Sequence, residues 1–356
     1  MVKVTILASG IALGVYVPAL LLRDNLVRHG IDAEVVLFES LYTNGKLEKV
    51  QQNKWHFHNN VRLAIKGHQL PSKVSDAVDA EEKKRLFTKW KREKRYRFVI
   101  FSGFWVPLVR EYLENYRFPL DAVDCIHMDA VVSSSWAAHM EDSAPFQAIW
   151  PFSFRDNCVN TTIPIGESPL STYDNRPLQV MIHGGGWGMG TYPAVLPELV
   201  DARIHTCCTV YSSSDSVPES PFMHRFWMDE NWTPFGQQLC DYPPLRDESG
   251  MLAFLPHTHK VFNLLTTCRS VISKPGGATL LDSLESGTPI IFLSPVGAYE
   301  EYNARLWKSL GFGLDYEEWK EQGFSFEPLI KAHERLRRCR ENIKGVEEQL
   351  CSLKQM

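Results

Sequence analysis

The stretch 273–295, SKPGGATLLDSLESGTPIIFLSP, decides how the rest of the chain is read. Residues 271–273 (VIS) end a strand, Lys274-Pro275-Gly276-Gly277 makes a turn, and Leu280, Leu281 and Leu284 then share one face of a helix. Thr279 and Asp282 stand three apart, the spacing of a capping box, and Gly287 before Thr288-Pro289 stops the helix. TPIIFLSP follows as a second strand. In such a unit the N–H groups of the first helical turn form an anion site, to which Lys274 adds a full charge. A helix terminus alone contributes about 0.3–1 kcal/mol to a nearby anion. By itself the segment fits two readings: a diphosphate-binding turn, or a glycine turn before a well-capped helix with a solvated lysine.

Two further glycine clusters tip the balance. HGGGWGMGT (183–191) follows the strand LQVMIHGGG, and SGIALG (9–14) follows the strand VKVTILAS. Glycines there let the backbone approach a ligand closely. Neither cluster, nor KPGG, fits G-x-G-x-x-G with a downstream acidic residue, and no P-loop is present, which disfavours a dinucleotide cofactor and a nicotinamide oxidoreductase. Strands and helices alternate in both halves, which means two parallel sheets covered on both faces. The fold class is therefore α/β, two doubly wound Rossmann-like domains facing a central cleft. Residues 1–160 are expected to form the first domain, 161–177 a linker and 178–325 the second domain. Residues 326–356 read as one charged helix that packs back onto the first domain. Residues 212–250 read as a polar, aromatic, Pro-rich insertion, whose part 222–242 either lines the cleft or caps the second domain.

Composition sets the outer bounds. The chain has 356 residues, 44% hydrophobic and 22% charged, with a formal net charge of −4. That is an ordinary globular balance with no basic field to attract nucleic acid. Eight cysteines without C-x-x-C spacing read as reduced thiols, and the interrupted apolar start (Ser9, Gly10, Gly14, Pro18) reads as a strand and helix rather than a targeting peptide. A cytoplasmic location is expected. The run 83–97 holds nine Lys and Arg. It reads as a solvated helix face, with weak docking on an anionic membrane through Phe87 and Trp90 as the other option. A homodimer is left open.

The segment 273–313 resembles the donor-binding segment of GT-B glycosyltransferases. Its glycine turn, Thr279, Asp282, Gly287-x-Pro289, Pro295 and Asn303-Ala304 before Gly311 carry the likeness. It is similar to the group holding the bacterial cell-wall N-acetylglucosaminyltransferase, diacylglycerol glycosyltransferases and UDP-glycosyltransferases. The resemblance implies that Lys274 and the amides of Gly276, Gly277, Ala278 and Thr279 hold the donor diphosphate. It implies that Asp282 takes the ribose hydroxyls, Glu300 contacts the sugar, and Gly185 and Gly186 lie near the phosphates. Leu255, Pro256 and His257 would border the base. The first loop, with Gly14 and Val15, departs from the family: relatives commonly carry a catalytic histidine there, and valine cannot take a proton.

These readings imply an inverting transfer from a UDP or dTDP sugar, the donor being a co-substrate and no other cofactor being needed. With no D-x-D pair, leaving-group charge falls to amides, helix dipole and Lys274, so no metal is expected. The base is sought at His127 or Asp129 in CIHMDA; the plainer alternative is a loop histidine and a turn-capping aspartate. His56 and His58, alternating as strand side chains do, are candidate acceptor contacts or surface histidines. The acceptor is a small molecule, of specialised metabolism, or a lipid. A sugar-nucleotide epimerase and a catalytically inactive partner-binding protein of the same fold are the competing readings.

Overall fold

The structure, a computed structural model, describes residues 3–11, 13–60, 78–166, 171–186, 188–229, 231–235, 241–252 and 257–352. The first half holds a five-stranded, all-parallel sheet in the order β2-β1-β3-β4-β5. Its strands are β1 (Val4–Ala8), β2 (Ala33–Leu37), β3 (Arg97–Ile100), β4 (Val123–Ile126) and β5 (Gln147–Ile149). β1 and β4 are buried along their whole length, as helices on both faces require. The edge strand β5 was not legible: it has three residues, two of them exposed, so no apolar period marks it.

Among the described residues the longer helices beside this sheet are α1 (Leu13–Arg28), α2 (Asn44–Asn59), α3 (Ala80–Arg92) and α4 (Val106–Tyr116). α1 begins earlier than its sequence suggests, so Gly14 and Val15 lie in its first turn rather than in a loop. Val15 packs against the core. α2 overturns the strand reading of His56 and His58, since two positions along a helix point to nearly opposite sides. α3 is the basic run. Asp79 caps it, accepting from the N–H groups of Glu81 and Glu82 at 2.9 and 3.1 Å. Phe87 and Trp90 do not face outward: both are buried, against Tyr112, Phe98 and Trp105. Membrane insertion through them is thereby overturned. The basic heads point outward, with Lys83 paired to Glu111 and Arg85 to Glu82.

The stretch expected to close the first domain ends in a small hairpin, β6 (Phe152–Ser153) and β7 (Cys158–Val159). The second half holds an eight-stranded sheet, β12-β11-β10-β9-β8-β13-β14-β15. Its strands are β8 (Gln179–His183), β9 (His205–Val210), β10 (Met223–Met228), β11 (Leu245–Asp247), β12 (Gly250–Met251), β13 (Ser270–Ser273), β14 (Ile290–Phe292) and β15 (Gly313–Asp315). β10 corrects the reading of 212–250 as mere insertion. It pairs parallel to β9, and its neighbours β11 and β12 run antiparallel. Asp241 and Tyr242 of the insertion bridge the halves: Tyr16 donates to the Asp241 carbonyl at 2.9 Å, and Tyr242 to Asp24 at 2.8 Å.

The helices of this half are α5 (Tyr192–Asp201), α6 (Lys260–Leu265), α7 (Gly277–Ser286), α8 (Ala298–Ser309) and α9 (Tyr316–Glu321). The tail is two helices rather than one, α10 (Glu327–Asn342) and α11 (Val346–Ser352), broken at Ile343–Gly345. α10 packs on α7, and α11 reaches α1 of the first half. Beside the break the connecting segment runs alongside the tail. The Thr162 N–H donates to the Lys344 carbonyl at 3.2 Å, and Val346 N–H donates to the Thr162 carbonyl at 2.8 Å.

Candidate functional site

Strand order in the second sheet reverses between β8 and β13: the crossover from β8 leads to β9 on one side, that from β13 to β14 on the other. Helices after the two strands then leave on opposite faces, and a crevice opens beyond the strand ends. The turn Lys274–Gly277 and the glycines 184–186, 188 and 190 sit there. α7 starts with Gly276 as its N-cap and no side-chain cap, so the Thr279/Asp282 capping box is not formed. Thr279 lies one turn inside, buried, and the first-turn amides stay without an intrahelical acceptor. Gly287 ends the helix in the left-handed region at φ 65°, as read.

Lys274 does not point into open water. Its ammonium is paired with Glu300, and its stem passes under Gly185. Glu300 is itself engaged. It accepts from the Val296 N–H at 2.7 Å, capping α8, and Lys274 holds it below the ordinary carboxylate range despite burial. A sugar contact from Glu300 would therefore have to be shared with its own helix. Asp282 is buried, and His259 donates to it at 2.9 Å. Because the other ring nitrogen of His259 accepts from Phe262 N–H, the proton belongs on Nε2. Gly185 and Gly186 border the crevice; a Cβ on Gly186 would lie 2.5 Å from Leu13 of α1, so this loop touches the first half. His257 is exposed, with φ 58°, whereas Leu255 and Pro256 lie outside the described residues.

The first half meets the N-terminus of α7 through Met128–Ala130. Asn303 of α8 fixes the contact: its side chain accepts from Ala130 N–H at 2.7 Å and donates to Asp129 at 2.8 Å and to the Pro275 carbonyl at 2.9 Å. The Gly277 N–H also faces the Asp129 carboxylate. Desolvation pushes that carboxyl up to about 6 against the pull of Asn303. A raised acid pKa means the folded state binds the extra proton, so this group's contribution to stability is present at low pH and lost as pH rises from about 4 to 6. Asp129→Asn should remove that slope. The difference in unfolding free energy between wild type and variant, measured from pH 4 to 7.5, should shift toward the variant as pH rises; a flat difference would refute it. His127 lies elsewhere, stacked between Trp136 and Trp150 at ring distances of 4.2 and 4.0 Å. Burial lowers its pKa to about 4, so the ring is neutral at pH 7.

His56 is exposed, while His58 crosses to the second half, its Nε2 2.8 Å from Asp215. Asp215 in turn accepts from Tyr211 and Ser212 N–H. Between the halves lies a cavity of about 380 Å³, lined by Val131, Ser133 and Ala137 on one side and Gly297, Tyr299 and Tyr302 on the other. His183 and His259 are the residues the functional reading of the sequence missed; His183 stood in the quoted glycine cluster without a role, and no local signal marked His259. Asn303 was named in the resemblance, without its contacts.

Two sheets, one parallel and one parallel but for its β11–β12 edge, facing a cleft with glycine turns at the strand ends, define the GT-B fold, and this chain has it. MurG of Acinetobacter baumannii matches over 100% of both chains at 13% identity and a TM-score of 0.56. The spinosyn forosaminyltransferase SpnP matches over 99% of this chain and 98% of its own at 11% identity and 0.59. The glycosyltransferase SsfS6 of Streptomyces sp. SF2575, solved with thymidine diphosphate, matches over 100% of both at 10% identity and 0.54. In sequence, the chain is 30% identical over 100 residues to the processive diacylglycerol β-glucosyltransferase of Bacillus subtilis strain 168. That stretch spans 28% of this chain and 25% of that enzyme. No family model matches the chain. Among the described residues no helix is long and apolar enough to cross a membrane.

Proposed function

We propose that this protein is a GT-B glycosyltransferase that moves a sugar, with inversion, from a UDP or dTDP sugar to a small-molecule acceptor in the cytoplasm. The observation that carries the reading is the N-terminus of α7, whose N-cap Gly276 brings no side-chain cap of its own, beside Lys274 and placed where the second sheet reverses its order. The thymidine diphosphate bound by SsfS6 supports a nucleoside diphosphate as the leaving group. First-turn amides and Lys274 would take up the charge that develops on it, without a metal ion. Of the two candidate bases, Asp129 is the better placed: its carboxyl titrates near working pH and lies beside the turn, whereas His127 is enclosed by two indoles. The cavity between the halves offers room for an acceptor beside the turn, and an epimerase of the same fold would leave it without a second substrate.

Nucleotide-dependent thermal stabilisation tests the donor. Ligand at 100 times its dissociation constant should add about 2.7 kcal/mol. UDP or dTDP should produce this and NAD should not. Lys274→Ala should weaken UDP binding about tenfold or more, the loss of one charge-assisted hydrogen bond. Equal affinity in variant and parent would remove the phosphate assignment. Release of nucleoside diphosphate only when acceptor is added, followed by intact mass, would then separate transfer from epimerisation and from an inactive scaffold.

A further inference from the structure

We propose that His183 is a ligand-contacting residue, its Nε2–H reserved for an oxygen of the bound nucleoside diphosphate. The inference rests on the donor reading above and deepens it. His183 is the last residue of β8, paired with Ser273 at the end of β13, so its side chain stands directly at the reversal of strand order. The ring's Nδ1 accepts from the Gly185 N–H at 3.0 Å, with the Ser273 hydroxyl 3.4 Å away. An imidazole that accepts at Nδ1 from a backbone amide carries its proton on Nε2. Burial lowers the ring's pKa to about 4, so no second proton competes at neutral pH.

Among the described residues that Nε2–H has no partner, although His183 is buried, with a relative exposure of 6%. The charged and titratable groups around it are Asp282, Lys274 and His259. None of them is bonded to it: one oxygen of Asp282 is taken by His259, and Lys274 is paired with Glu300. A buried donor left unmatched in a well-packed sheet end calls for an acceptor supplied from outside. Beside a lysine, a run of glycines and a helix N-terminus, the acceptor that fits is a phosphate oxygen. A neutral N–H suits it, since it adds a hydrogen bond without further cationic charge to desolvate.

Two variants separate the ring's two nitrogens. His183→Asn keeps an acceptor for Gly185 but cannot reach the Nε2 position; His183→Gln keeps a donor there. Calorimetric titration with UDP should show His183→Asn binding about tenfold weaker, with its ligand-free unfolding midpoint unchanged, and His183→Gln within about threefold of wild type. Wild-type affinity in His183→Asn, or an equal loss in both variants, would overturn the assignment. Should a variant not fold, the wild-type protein with 15N-labelled histidine decides: UDP should shift the His183 Nε2–H resonance downfield, and an unmoved signal would refute the contact. Failure of wild type to bind UDP or dTDP at all would remove the donor reading, and this inference with it.

Discussion

Glu285→Ala is expected to lower the unfolding free energy by about 3 kcal/mol. Glu285 lies inside α7 with its carboxylate turned to the connection between the halves. One oxygen accepts from Thr162 Oγ at 2.6 Å and faces Arg340 Nε at 2.6 Å, and the other accepts from Ile165 N–H at 3.0 Å. Burial raises its pKa, and Arg340 pulls it back. Removing the carboxylate leaves the Ile165 amide and the Thr162 hydroxyl unmatched and opens a cavity. Arg340 keeps about 29% of its side chain in solvent and can rehydrate, which places the loss at the lower end for a broken buried pair. Urea unfolding measures it. Glu285→Gln, which retains one acceptor, should lose less; an alanine variant as stable as wild type would show that the connection does not depend on this group.

Gly277→Ala should cost catalysis far more than stability. Gly277 is the first residue of α7, where alanine favours the helix by up to about 1 kcal/mol. Yet a Cβ there would lie 2.3 Å from the carbonyl oxygen of Met128 and 2.7 Å from its carbon, both backbone atoms of the opposite half. Neither can turn aside, so the halves must part. A displacement of roughly an ångström between reacting groups lowers kcat/KM by about 100-fold. The unfolding midpoint should move little, and Gly45→Ala, where nothing lies within 4 Å, is the matched control. Full activity in Gly277→Ala would mean that the Met128 contact is absent from the productive arrangement.

The extent to which the sequence announced this molecule follows from how locally each feature is encoded. α7 and its Gly287 stop could be read because the leucine spacing, the preceding strand and the left-handed end residue lie within fifteen positions. β10 could not. Its residues, MHRFWM, carry no clean alternation, and only parallel pairing to β9 buries Phe226 and Met228. The basic helix was read rightly as a solvated face, but not what its other side does: lysine and arginine dominate its composition, while Phe87 and Trp90, three apart, share the one face that meets the core. Charge counts say nothing about which face is covered. The cleft residues were legible by type and not by partner. Asp129 and Lys274 could be picked out, but that Asn303 and Glu300 hold them depends on α8 lying across the turn, which no short-range pattern records.

Thr162 runs beside Lys344 and Val346, so the chain passes between the halves twice at one place, the two passages bonded to each other. A single strand of peptide leaves its two ends free to swivel; a bonded pair behaves like a leaf hinge and leaves one axis of bending. Any opening of the cleft would have to bend about that bonded pair rather than swivel on a lone strand. One pair of spectroscopic labels, set on opposite lips, would suffice to follow it.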